Sequence, residues 1–123
     1  TLNARMSEGL YRTSKERRED PTLEFLYRSA GPVWYRGMVC TDEKYDPLTP
    51  EQTDALLRRY DADRLLIGHT IFPDISTFHD GRVIAVNVQN ERNRRKNRGR
   101  AVLIEGSRIS VVGNRGVKRV LEE

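Results

Sequence analysis

The spacing of apolar residues changes period at Ala62-Asp63, and that change limits the folds open to the chain. Before it, apolar positions recur at helical spacing. After it come five short runs rich in branched residues, at 64–67, 75–78, 82–88, 101–104 and 108–112, each the length of a strand. Asp80-Gly81 and Glu105-Gly106-Ser107 stand between paired runs as hairpin turns, so the second half is expected to be an antiparallel meander. Helices first and strands second predict an α+β chain, with N-terminal helices followed by a mainly antiparallel sheet.

Within the first half, Leu2, Met6, Leu10 and Tyr11 share one helical face, predicting a single amphipathic helix over 2–18 despite Gly9. Asp20-Pro21 interrupts it, and Thr22 is placed to cap a second helix over 23–29 that Gly31-Pro32 ends. Residues 31–50 lose any period and collect Gly, Pro, Asp and Thr with the aromatics Trp34, Tyr35 and Tyr45, which predicts a long structured loop. Thr49-Pro50-Glu51-Gln52 then supplies a cap, a proline at the first helical position and a glutamine at the third, opening a helix through Leu56, Leu57 and Tyr60. The expectation is a single incomplete domain, 1–123, divided into a helical and loop part (1–60) and a β-rich part (61–123). No internal repeat is visible.

A hydrophobic content of 37% in 123 residues is enough for one modest core, beside a charged content of 33%. No apolar run approaches the roughly 20 residues that span a bilayer, and residues 1–18 lack the apolar centre of a signal peptide, so a soluble chain without membrane contact is expected. The chain opens at Thr1 without an initiator Met, as a processed product or a piece of something longer does. The compartment stays open. Cys40 is the only cysteine, which excludes an internal disulfide and a Cys-rich zinc site. The net charge of +4 is local, arising largely from Arg92, Arg94, Arg95, Lys96, Arg98 and Arg100.

Two segments carry chemistry. Gly68-His69-Thr70 closes the apolar run of Leu65, Leu66 and Ile67, and a histidine just past a buried strand can ligate a metal while the strand fixes its backbone. The plainer alternative is a hydrogen-bonded structural histidine. His79, the only other histidine, lies at the Asp80-Gly81 turn; five strand residues at about 3.3 Å each carry it about 16 Å away, so it is expected to be a surface hairpin residue and not a co-ligand. In Gly31-Pro32-Val33-Trp34-Tyr35-Arg36-Gly37, two aromatics precede an arginine between glycines, a setting that can hold a planar guanidinium against an anion such as phosphate. Its alternative is an aromatic-anchored loop with Arg36 in a structural ion pair.

Taken together, GPVWYRG and the ordered string DADRLLIGHTIFPDISTFHDGRVIAVNV resemble the calcineurin-like metallophosphoesterases, especially the bacterial serine/threonine phosphoprotein phosphatases. The two segments cover most of residues 31–88. The resemblance implies the C-terminal portion of a two-sheet α/β/β/α sandwich, comprising a substrate-side loop and one of the two sheets. It implies that His69 ligates one ion of a centre of two divalent metals, manganese, iron or zinc, and that Arg36 contacts the phosphate of a phosphorylated protein or small phosphomonoester.

The family's Asp-x-His, Gly-Asp and Gly-Asn-His segments, which supply most of the metal ligands and the general acid, occur nowhere in the chain, and a further histidine expected before the first helix is also absent. Asn87-Val88-Gln89 stands where the family has Asp-x-Gly after the penultimate strand, a departure that bears on the loop geometry there, though not on His69. One histidine cannot hold a metal pair, so the isolated chain is expected to be catalytically silent, to bind no metal stably, and to self-associate through apolar surface meant for missing elements. The competing functions are a nucleic-acid or protein binding module using the basic loop 92–100, and a non-catalytic interaction domain on a borrowed fold. Against nucleic acid, that run links two predicted strands and has no aromatic for base stacking.

Overall fold

The computed structural model describes residues 1–96 and 98–122, so Asn97 of the basic run lies outside the described residues. The chain forms two compact units, Thr1–Leu48 and Thr49–Glu123.

In the first unit, helices α1 (Leu2–Leu10), α2 (Ser14–Glu19) and α3 (Pro21–Tyr27) are followed by an irregular stretch containing one short 3-10 turn, Glu43–Tyr45. The single helix expected over 2–18 is therefore two. Thr13 and Glu16 form a capping box, in which the Thr13 hydroxyl accepts from the Glu16 N–H at 3.3 Å and the Glu16 carboxylate accepts from the Thr13 N–H at 2.7 Å. That local start signal overrides the continuing apolar period. Asp20, not Thr22, caps α3: its carboxylate accepts from the N–H groups of Thr22 and Leu23 at 3.0 and 3.2 Å, with Pro21 at the first helical position.

The same carboxylate accepts from the Arg5 guanidinium, tying α1 to α3. The Tyr27 hydroxyl donates to the Met6 carbonyl at 2.5 Å, and the Arg17 guanidinium lies 4.5 Å from the centre of the Tyr27 ring. Leu23 and Leu26 are fully buried beneath these contacts, each contributing on the order of 1.5–3 kcal/mol of burial.

The second unit begins with α4 (Pro50–Arg59), whose Thr49/Gln52 capping box and leading proline are as expected. Two three-stranded sheets follow, in place of the one expected. The first comprises β1 (Leu65–Ile67), β2 (Ser76–Phe78) and β3 (Val83–Ala85) in the order β1-β3-β2; the second comprises β4 (Arg100–Glu105), β5 (Arg108–Gly113) and β6 (Gly116–Glu122) in chain order. Between them lies α5 (Asn90–Arg95). β2 and β3 form the expected antiparallel hairpin across Asp80-Gly81, and the second sheet is antiparallel throughout.

β1, however, pairs with β3 in parallel, which corrects the simple meander. The physical reason is that Val83, Ile84 and Ala85 are all buried, so β3 belongs at the centre and the connection 68–75 must carry the chain past it to the far edge. β6 escaped the period-two pattern because register irregularities interrupt its pairing with β5.

The core of this unit lies between the sheets, where Ile75, Ile84 and Val88 meet Ile109 and Val111, with Val86, Val102 and Leu121 packed against them. Two arginines brace it. Arg64 pairs with Glu122 at the end of β6 and donates to the Gly81 carbonyl at 2.8 Å, while Arg82 pairs with Asp54 on α4. Among the described residues, no helix is long and apolar enough to cross a membrane.

Candidate functional site

β1 ends at Ile67, and its last carbonyl accepts from the Val86 N–H at 2.8 Å. The next bond to the same stretch runs from the Phe72 N–H to the Asn87 carbonyl at 2.9 Å, continued by a parallel bridge between Phe72 and Val88. Two adjacent partners, Val86 and Asn87, thus hold residues 67 and 72, and the four residues between must bulge out of the ladder. His69 sits in that bulge.

Its φ is +72°, and the Thr70 N–H donates across it to the Gly68 carbonyl at 2.9 Å. A bond from residue i+2 to residue i with a left-handed centre is the rare, strained form of the γ-turn. Left-handed backbone outside glycine persists where the surrounding bonds impose it, and His69 shares it with Asp46, Asp61, His79 and Asp80. His69 is exposed at the tip. The group that pins this geometry at position 87 is the main-chain carbonyl, not the Asn87 side chain.

His79 occupies the β2–β3 turn, also left-handed at φ +51°, and its carbonyl accepts from the Arg82 N–H at 3.1 Å. Because β1 and β3 are parallel, His69 follows the C-terminal end of one while His79 precedes the N-terminal end of the other. The two histidines stand at opposite ends of the sheet. Among the described residues, no group of three or more His, Cys, Asp or Glu gathers to hold a metal ion.

Arg36 belongs to the first unit, in the irregular stretch that the aromatics and glycines predicted. The loop is closed by the Leu48 N–H donating to the Gly37 carbonyl at 3.0 Å and by the Tyr35 hydroxyl donating to the Asp46 carbonyl at 3.0 Å. Partial burial, and then the Asp46 charge, push the Tyr35 phenol above its ordinary range, so it stays a donor there. The glycines bounding GPVWYRG are required sterically: a Cβ on Gly31 would meet the Phe25 carbonyl oxygen at 2.2 Å, and one on Gly37 would meet the Tyr35 hydroxyl at 2.4 Å. The Arg36 carbonyl accepts from the N–H groups of Val39 and Cys40 at 3.0 and 2.9 Å, fixing its backbone. Its half-buried guanidinium lies 5.9 Å from the centre of the Tyr45 ring, a packed orientation for a planar fork of donors.

The basic run proves to be more than a loop. Residues 90–95 form α5, which no apolar residue marks and whose first turn has no side-chain cap. Its Gln89, Arg92, Asn93 and Lys96, together with Arg98, Arg100 and residues 71–74, line an open cleft of about 650 Å³ in the second unit. Sequence reasoning did not foresee this cleft. The signal was present in the 3-1-3 spacing of those four residues, which is one face of a helix.

No protein-family model matches the chain, and no curated protein matches it. Solved structures do. A cold-active protein tyrosine phosphatase aligns over 98% of this chain and 33% of its own length, at 22% identity and a TM-score of 0.61. The cold-active protein-tyrosine phosphatase of a psychrophile Shewanella sp. aligns over 98% and 34%, at 22% identity and a TM-score of 0.60. The chain spans about a third of the length of these structures, and shares with that third an α+β fold.

Proposed function

We propose that the chain is the C-terminal part of a metal-dependent phosphoesterase that hydrolyses phosphate monoesters, with His69 as a metal ligand and Arg36 as a phosphate-binding residue. The observation that carries this reading is the γ-turn that displays His69 at the exit of β1, held by backbone bonds on both sides. The likeness to structures named as protein tyrosine phosphatases supports the reading independently of the motifs. Phosphotyrosine therefore joins phosphoserine and phosphothreonine as a substrate class, beside small phosphomonoesters. The two-sheet metallophosphoesterase sandwich belongs to the same proposal, with the remaining helices, strands and ligands outside these 123 residues.

In this reading a pair of divalent metals, manganese, iron or zinc, supplies Lewis acidity and an activated water when bound. The chain's own residues do the rest of what is assigned here. His69, exposed at the tip of the bulge, offers an imidazole nitrogen as ligand, and the fixed backbone at Gly68 and Thr70 spares it reorganisation. Arg36, fixed by its loop, offers paired N–H donors to phosphoryl oxygens as negative charge builds on them.

The test is hydrolysis of an aryl phosphate by the protein extended upstream, with added manganese. Activity should vanish in His69→Ala and fall about 100- to 1000-fold in Arg36→Ala, the usual effect of losing a donor to developing charge. The isolated chain should be silent. An extended protein that binds no metal and turns over nothing would overturn the proposal.

A further inference from the structure

The cleft beside α5 has no role in the reading above, yet its charges are organised. Arg92 and Lys96 stand at i and i+4 on one face of the helix, exposed, with the amide side chains of Gln89 and Asn93 on the same face. Arg94 and Arg95 do not line the cleft, and Arg95 is paired with Glu91 at 3.6 Å. Opposite lies the segment 71–74, which continues directly from the His69 bulge. It is fastened to the second sheet by Asp74, whose carboxylate lies 3.2 Å from the Arg100 Nε, while the Arg100 N–H donates to the Asn90 side chain at 3.1 Å. Asp74 is thereby spent on Arg100. Among the described residues, no carboxylate is paired with Arg92, Lys96 or Arg98. Like charges at i and i+4 repel, and an anion seated between them relieves that repulsion.

We propose that this cleft is a subsite for an acidic peptide segment, taking carboxylates that flank the phosphorylated residue of a protein substrate. The assignment of substrate rests on the phosphatase reading; the binding itself does not. The spacing fits, since alternate side chains of an extended peptide point the same way about 6.6 Å apart, close to the roughly 6 Å between helix positions i and i+4. The amides of Gln89 and Asn93 add neutral donors for carboxylate oxygens. Nucleic acid is the poorer occupant. Phe72 is the one aromatic lining the cleft among the described residues, and its ring is packed on Phe78, with centroids 5.3 Å apart, so successive bases have no run of aromatic faces to stack on.

Binding of a fluorescein-labelled hexaglutamate peptide to this chain, followed by anisotropy, tests the proposal without any turnover. Arg92→Glu with Lys96→Glu should weaken binding by about tenfold or more, whereas Arg94→Glu with Arg95→Glu, the same change in net charge on the other face, should alter it by less than about threefold. Circular dichroism of both variants checks that α5 and the sheets persist. Equal losses in the two variants would reduce the cleft to net-charge attraction and overturn the proposal. So would absence of peptide binding, or displacement of the peptide by a single-stranded oligonucleotide that binds more tightly. The phosphatase reading is judged separately, on an aryl phosphate with no acidic flank, so either can fail without the other. In the extended protein, the first double variant should raise KM for an acidic phosphopeptide while leaving the aryl phosphate unchanged.

Discussion

A left-handed backbone at a residue other than glycine costs about 1–2 kcal/mol, and at His69 the local bonds impose that conformation whatever the side chain is. Replacing His69 with glycine removes the strain together with the imidazole. If the imidazole serves a metal and not the fold, His69→Gly should leave stability within about 1 kcal/mol of the parent, or raise it, in urea denaturation. A loss above about 3 kcal/mol would make His69 a structural residue. The histidine was legible in the sequence because Gly68-His69-Thr70 closes an apolar run; the γ-turn was not, because it depends on where Val86 and Asn87 place their main-chain groups. Arg36 was legible for a similar reason. The glycines and aromatics around it announce a tight loop, although the approach of Gly31 to the Phe25 carbonyl appears only in the folded chain.

Among the elements, caps explain most of what the apolar period misjudged. Asp20 shows how one residue can hold two: it caps α3 and accepts from Arg5 of α1. The hydrogen bond from Arg5, followed by that from the Leu23 N–H, holds the Asp20 carboxyl below its ordinary range. A carboxyl lowered on folding adds stability that is fully present above its unfolded value and is lost as pH falls through the folded one. The helices of the first unit should therefore weaken in acid, and Asp20→Asn, which keeps an N-cap but loses the charge, should lower the melting temperature at neutral pH and flatten its acid dependence. Circular dichroism melts across the acid range measure both effects. An unchanged acid slope in Asp20→Asn would place the titrating group elsewhere.

α5 and β6 were illegible for different reasons. Residues 90–95 contain no apolar side chain to reveal a helical face, and the irregular pairing of β6 breaks the alternation that exposes a strand. The parallel pairing of β1 was hidden because hairpin signals describe neighbours in sequence, whereas β3 is a central strand selected by burial on both faces.

For the molecule as a whole, the α+β class and the order of helices and strands follow from the change of period at residues 62–63. The split into two sheets does not, since it depends on which strand the interior admits. Exposed apolar side chains remain, including Leu10, Tyr11, Phe25 and Trp34 in the first unit and Leu66, Ile71 and Ile104 in the second. Sedimentation velocity should accordingly show concentration-dependent association of the isolated chain, and a strictly monomeric chain at high concentration would contradict the view that these surfaces await other elements. His69 is proposed as a metal ligand of a phosphoesterase whose remaining ligands lie outside these residues. The most direct measurement is metal content after manganese loading and desalting, comparing the upstream-extended protein with its His69→Ala variant. Two ions per protein are expected in the parent and at least one fewer in the variant, with the fold retained; equal metal content in the two would rule out a metal role for His69.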